Sequence, residues 1–197
     1  KASGVAVPPQ VALAPAPPRA ARVAVVRSPT LDQIVNVTDV YSNNFFAEML
    51  MKLLGDRFGS GGTTAAGAAV VEDFARGLGS GVDAIDGSGL TRSNLASPRQ
   101  VVDLLSSMRD DPAGEEYIQD LALTGKEGTV DDRMRGTAAY ARCRTKTGTI
   151  SGVSNLSGYC FNKSGRIMLF SILMNGVGDL GYAHLQQDRI AGLVAGY

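Results

Sequence analysis

Apolar positions recur along this chain with two different periods, and the change from one to the other divides it. From Thr30 onward, Leu31, Ile34, Val35 and Val37 to Val40 fall at helical spacing. A polar break at Ser42-Asn43-Asn44 precedes a second helical run from about Phe45 to Leu54, which Gly55 is expected to stop. Gly59 to Gly62 reads as a loop and Thr63 to Leu78 as a third helix capped by Gly79. Ala84-Ile85-Asp86 reads as a short strand entering the turn Gly87-Ser88-Gly89. Ser97 is a good N-cap, Pro98 suits the first helical position and Gln100 is placed for a capping box, so a helix is expected through Val101-Val102-Asp103-Leu104-Leu105. The period then shortens. Tyr140 to Thr149, Val153 to Phe161 and Arg166 to Asn175 read as three successive strands joined by Ile150-Ser151-Gly152 and Asn162-Lys163-Ser164-Gly165, and Leu180 to Val194 as a closing helix. Helices, then an antiparallel meander, then a helix predict an α+β fold in which helices pack on an antiparallel sheet.

Residues 1–29 differ from the rest, holding six of the eight prolines. They read as a helix end at Lys1 to Gly4, a strand, and extended chain through Pro15-Ala16-Pro17-Pro18 to Val26. A flexible linker is one reading. Gly4, a helix cap with no helix before it, favours a chain that begins inside a domain.

Composition narrows the function classes. A chain of 197 residues with 44% hydrophobic residues can bury an ordinary core. Nineteen basic and nineteen acidic residues balance and are spread along the chain, so no footprint for nucleic acid or an anionic membrane is present. His184 is the only histidine, which removes histidine-based metal sites and a serine-histidine triad, and no metal or cofactor is expected. Cys143 and Cys160 flank an expected hairpin outside any C-x-x-C pattern.

Candidate chemistry gathers at two places. In Lys146-Thr147-Gly148-Thr149, near the end of the first expected strand, the lysine supplies positive charge for a peptide carboxylate and the hydroxyls add donors. Gly148 removes the side chain that would keep a substrate backbone from pairing with the strand edge, and the Thr149 N–H could serve an oxyanion hole. Alone, the tripeptide is equally a solvated lysine before a turn. Ser42-x-Asn44 stands at a helix start, where Ser and Asn are ordinary caps. Ser-x-Asn followed about a hundred residues later by Lys-Thr-Gly forms two of the three elements of the serine penicillin-recognising enzymes, the third being Ser-x-x-Lys.

Four longer blocks carry a resemblance to a known family. They are Tyr41 to Asn44 leading into Ala47-Glu48-Met49-Leu50; Asp86 to Arg92 with Asn94-Leu95 and Ser97-Pro98; Arg133-Met134-Arg135-Gly136-Thr137; and Lys146 to Thr149 through Gly152-Val153-Ser154 to Leu156-Ser157-Gly158-Tyr159. In order and spacing, from about residue 30 to residue 175, the chain resembles the class C low-molecular-mass penicillin-binding proteins, the D-Ala-D-Ala carboxypeptidase/endopeptidase family. The resemblance implies part of a domain like that of the serine β-lactamases and penicillin-binding transpeptidases. It implies a hydrolase acting on peptidoglycan D-Ala-D-Ala stem peptides through an acyl-serine, with β-lactam antibiotics acylating the same serine. Ser42 and Lys146 would relay a proton to the leaving amine, and Asn44 would hold the substrate amide. Thr147 and Thr149 would bind the terminal carboxylate beside Gly148. Asp86 to Gly89 would lie behind the substrate or touch it. Arg133 and Arg135 would pair with acidic surface groups or orient substrate.

The departure from the family is the nucleophile. No serine here has a lysine three residues later; Ser28, Ser60, Ser93, Ser97 and Ser107 are followed at that spacing by Leu31, Thr63, Ala96, Gln100 and Asp110. The expectation is a C-terminal part: residues 1–29 as the stretch after the family's inserted region, residues 30–197 as the C-terminal portion of the peptidase domain, and an N-terminal segment bearing Ser-x-x-Lys as a partner. A four-residue turn at Ile150 to Val153 would set Thr149 opposite Ser154 and, along the ladder, Cys143 opposite Cys160, as a disulfide or as two buried thiols. A wall-directed enzyme works outside the cytoplasm, in the periplasm, cell wall or medium, where a disulfide persists. Two alternatives share these residues: a non-catalytic module that binds peptidoglycan as a scaffold, and a β-lactamase.

Overall fold

The computed structural model describes residues 4, 13–15 and 17–197 of the chain. The helix end and strand expected near Lys1 lie outside the described residues. From residue 21 to Thr30 the chain runs exposed and without helix or strand. It then enters α1 (Leu31–Val40), where the Gln33 side chain accepts from the Thr30 N–H.

Two further helices follow, α2 (Asn44–Phe58) and α3 (Thr64–Gly77). Gly55 does not end α2, as the sequence suggested; the helix passes through it for another turn. The reason is close packing. A Cβ at Gly55 would lie 2.7 Å from the Gly67 nitrogen, and one at Gly67 would lie 2.0 Å from the Met51 carbonyl oxygen, so the pair lets α2 and α3 touch backbone to backbone. Residues 84–86 form no strand; Asp83 and Leu95 make a single bridge, and side chains hold the loop between them, as described below. The capping box at Ser97 and Gln100 is present and starts α4 (Pro98–Arg109).

A short helix α5 (Gly114–Asp120) and a two-residue strand β1 (Ala122–Leu123), neither predicted, lead into the meander β2 (Cys143–Ile150), β3 (Val153–Phe161) and β4 (Ile167–Asn175). The four strands form one antiparallel sheet in chain order. Closing the chain, α6 (Leu180–Gly196) starts at Asp179, whose side chain accepts from the Tyr182 N–H.

Alternate residues of β3 serve the two faces of the sheet. Leu156 and Cys160 pack with Ala191 and Ala195 of α6 and with Val40, Met134 and Phe170. Tyr159 turns the other way, onto Leu105, Ile118 and Leu121, and its hydroxyl donates to the Leu105 carbonyl at 2.7 Å. With helices on both faces, β3 is an interior strand and the α+β reading holds. Strand β2 is different: β1 pairs only with Arg144 and Thr145, so residues 146–150 have no strand partner on their outer side.

Candidate active site

The free edge of β2 faces the turn between α1 and α2, and the candidate residues meet there. Register against β3 sets the strand. Ile150 pairs with Val153 across a two-residue turn, Thr149 with Ser154, and so on to Cys143 with Cys160. Cys143 and Cys160 are joined by a disulfide at the far end of the strand. Antiparallel ladders alternate inward- and outward-facing backbone groups. Counted from the turn, Thr147 and Thr149 turn their N–H and C=O groups away from β3, toward the open edge.

Opposite the strand, α1 ends at Val40 in a tight closure. The Asn43 N–H donates to the Thr38 carbonyl at 3.0 Å and the Tyr41 N–H to the Val37 carbonyl. Ser42 sits between them at φ 55°, in the left-handed region where such a closure normally has glycine. The cap of α2 is neither Ser42 nor Asn44 but Asn43, whose side chain accepts from the Phe46 N–H at 3.0 Å. That leaves the Ser42 hydroxyl free of capping duty, and Lys146 Nζ donates to it at 2.8 Å, across 104 residues of sequence. The same ammonium donates to the Thr147 carbonyl at 2.9 Å.

These groups border a cavity of about 480 Å³ lined by Ser42, Asn44, Lys146, Thr147, Thr149 and His184. All six residues assigned to the site from sequence are together: Gly148 lines the cavity as well. A Cβ at Gly148 would meet nothing nearer than the Asn155 Cβ at 3.4 Å, so the surrounding protein does not itself demand a glycine there. The Thr147 hydroxyl donates to Thr129 at 2.8 Å.

The glycine-rich loop after Asp86 forms another wall. The Asp86 carboxylate accepts from the Gly89 N–H, the Thr91 N–H and the Asn94 amide. Burial works to raise its pKa, yet these bonds hold it below the usual carboxylate value. Glu48 of α2 accepts from the Gly87 N–H at 2.9 Å and from the Thr64 hydroxyl at 2.5 Å, tying loop, α2 and α3 together. Arg92 donates to the Ser151 carbonyl in the turn after β2.

Three site residues were not singled out in the sequence. Asp39, one turn before Ser42 on α1, lines the cavity; burial pushes its carboxyl up to about 6, against the pull of Lys146. Its signal was a charge inside the apolar run Val37 to Val40. Thr129 has no signal beyond the fold that carries it. His184 lines the cavity from α6, with no sequence signal for that position; burial, then Arg133, holds its pKa below 6.5. Arg133 lines the cavity too, and is not the exposed arginine the sequence allowed. It is 8% exposed and donates to Asp188 at 2.6 Å, to Gln187 and to the His184 carbonyl. Burial lowers the Lys146 pKa, and Asp39 opposes that effect. Among the described residues no three His, Cys, Asp or Glu side chains converge as metal ligands.

A second cavity of about 700 Å³ adjoins the first, sharing Asp39, Gly148 and Thr149 with it. Its remaining walls are mostly apolar, with Val35, Leu50, Met51, Leu54 and Leu95 among them.

The chain is 43% identical over 166 residues to a D-alanyl-D-alanine carboxypeptidase of Actinomadura sp. (strain R39), covering 80% of this chain and 30% of that protein. It is 30% identical over 141 residues to penicillin-sensitive carboxypeptidase A of Dictyostelium discoideum, covering 68% of this chain and 27% of that protein. The chain thus spans about a third of the length of the curated relatives it matches. Among solved structures, penicillin binding protein 4 of Haemophilus influenzae, complexed with a β-lactam, superposes with a TM-score of 0.70 at 23% identity, covering 84% of this chain and 41% of that one. A β-lactamase from Chitinophaga pinensis superposes with a TM-score of 0.66 at 20% identity, covering 85% of this chain and 64% of that one. Both share the fold. The D-Ala-D-Ala carboxypeptidase 3 (S13) family matches residues 1–195, nearly the whole chain, and the protein belongs to that family.

Proposed function

We propose that these residues form the substrate-binding strand and proton relay of a serine-type D-alanyl-D-alanine carboxypeptidase/endopeptidase acting on peptidoglycan. The observation that carries this reading is the Lys146 to Ser42 hydrogen bond beside an unpaired strand edge. A substrate peptide would add to β2 as an extra strand, its backbone bonding the outward groups of Thr147 and Thr149. Its terminal carboxylate would meet the hydroxyls of Thr147 and Thr149 and the Lys146 charge, and Asn44 would hold its amide.

A serine Oγ attacks the penultimate D-Ala carbonyl carbon as its proton passes to the lysine of Ser-x-x-Lys, which returns it to Lys146 after the amine has left, and the resulting oxyanion is held by the Thr149 N–H. The C–N bond then breaks, and the departing amine takes a proton from the Ser42 hydroxyl, which Lys146 replaces. Water later hydrolyses the acyl-serine.

The attacking serine and its activating lysine are assigned to a Ser-x-x-Lys segment outside residues 1–197, since no serine in the sequence has that spacing. The apolar cavity of about 700 Å³ next to Thr149 offers such a segment a place to pack with its serine against the relay. Residues 30–197 are then the C-terminal portion of the peptidase domain and residues 1–29 the stretch leading into it. The Cys143–Cys160 disulfide supports a site of action outside the cytoplasm. No helix among the described residues is long and apolar enough to cross a membrane.

The test is to treat the full-length protein with a fluorescent penicillin and to measure D-Ala release from a D-Ala-D-Ala stem peptide. Stable covalent label with D-Ala release supports the reading. Rapid turnover of the drug would make the protein a β-lactamase, and no label on folded protein would make it a binding module.

A further inference from the structure

Asp39 is unexplained by the roles assigned so far. Its carboxylate borders both cavities, three residues before Ser42 on the last turn of α1. Among the described residues it accepts no hydrogen bond and forms no ion pair. A half-buried carboxylate without a partner is unfavourable, and burial is the main reason its pKa is raised. The charged and titratable groups around it are Lys146 on β2, Asp120 and Tyr117 on α5, Arg133 and His184 along the cavity of about 480 Å³, and Asp83, Asp86 and Arg92 along the adjoining one. Arg133 is already engaged by Asp188. Arg92 is turned to the Ser151 carbonyl, which leaves Lys146, on the cavity of about 480 Å³ that Asp39 also lines, as the cation its charge serves; Lys146 attracts Asp39 and Asp120 repels it.

The need runs in both directions. Lys146 is itself desolvated, which favours loss of its proton, and Asp39 is the group that opposes this. A neutral lysine could still hydrogen-bond Ser42, but it could neither replace the proton Ser42 gives away nor attract a carboxylate.

We propose that Asp39 is the charge partner that keeps Lys146 protonated and thereby a positioning residue for the Lys146–Ser42 relay. The proposal rests on the peptidase reading for its purpose, but its electrostatic content does not depend on turnover.

Two measurements on the full-length protein and its Asp39→Asn and Asp39→Glu variants separate the possibilities. The first is the pH dependence of Lys146 acetylation by a trace of acetic anhydride, read by mass spectrometry of the peptide containing it. In Asp39→Asn the amine should become reactive at a pH about one unit lower than in the parent protein, and Asp39→Glu should restore most of the shift. The second is the rate of acylation by penicillin across the same pH range, whose alkaline limb should move down by the same amount in Asp39→Asn only. A Lys146 profile that does not move in Asp39→Asn overturns the proposal, whether or not the protein is acylated. An acylation rate lowered equally at every pH, with the Lys146 profile unmoved, would show Asp39 to be merely structural. If penicillin acylates none of the three proteins while the Lys146 profile shifts, the peptidase reading fails and the charge pairing stands.

Discussion

The two walls of the site are built on opposite terms. The β2 wall is over-determined: eight register pairs against β3, a disulfide at one end and a two-residue turn at the other leave Lys146 one position along the strand. The α1–α2 wall rests on one residue, Ser42, held in a backbone conformation that costs a side-chain-bearing residue roughly 1 kcal/mol or more relative to glycine. Binding groups can be carried by ordinary secondary structure. A hydroxyl that must stand clear of both helices, yet within reach of Lys146, requires a corner, and the corner is strained.

That contrast can be broken most severely on the strand side. Lys146→Met in the full-length protein is expected to reduce penicillin acylation by about a thousandfold while leaving thermal stability within a few degrees. Lys146→Arg should not restore it, because a planar guanidinium cannot occupy the ammonium's place between the Ser42 hydroxyl and the Thr147 carbonyl. Acylation as fast as in the parent protein would remove Lys146 from the relay.

Next in size is the staple. Replacing both Cys143 and Cys160 by alanine should cost about 3 kcal/mol in denaturant unfolding, from loop-closure entropy over a separation of 17 residues. An unchanged unfolding midpoint would show that the register needs no bridge.

Ser42→Gly sharpens the comparison because the two effects have opposite signs. Acylation should fall about a hundredfold while stability rises by roughly 1 kcal/mol, the strain of the left-handed serine being relieved. If stability falls instead, Ser42 is a structural residue and its conformation is not stored strain.

The last effect concerns pH. A carboxyl raised from 3.8 to about 6 by folding is bound more tightly to its proton in the native state, so it lowers stability progressively as pH rises from about 4 to about 6 and by a constant amount above. Asp39→Asn should therefore be more stable than the parent protein at pH 8, by about 1–3 kcal/mol, with the gap closing toward pH 4. Calorimetric midpoints at both pH values measure it. A gap that widens on acidification would contradict the raised pKa.

Much of this was legible in the chain. The 2.0 and 3.6 periods placed β2, β3 and β4 and most of the helices to within a few residues, because those elements bury one face each. The site motifs were readable as residue types in a known order. What the sequence concealed was contact-made. Gly55 ends helices in most settings and continues one here because Gly67 lies against it. Residues 84–86 looked like a strand by residue type, but with no neighbouring strand to pair with they are held by Glu72 and Asn94 instead. β1 is two residues long, too short for any period. Asp39, Thr129 and His184 belong to the site only because three separate elements converge on it.

The most direct test of the central division of labour is to treat the full-length protein with penicillin, digest it, and locate the acylated residue by tandem mass spectrometry. The expected result is a single adduct on a serine outside residues 1–197 that is followed three residues later by lysine, lost or strongly reduced in Lys146→Met. An adduct on Ser42, or on any other serine within these residues, would contradict the assignment of Ser42 to proton transfer and of the covalent step to a separate segment.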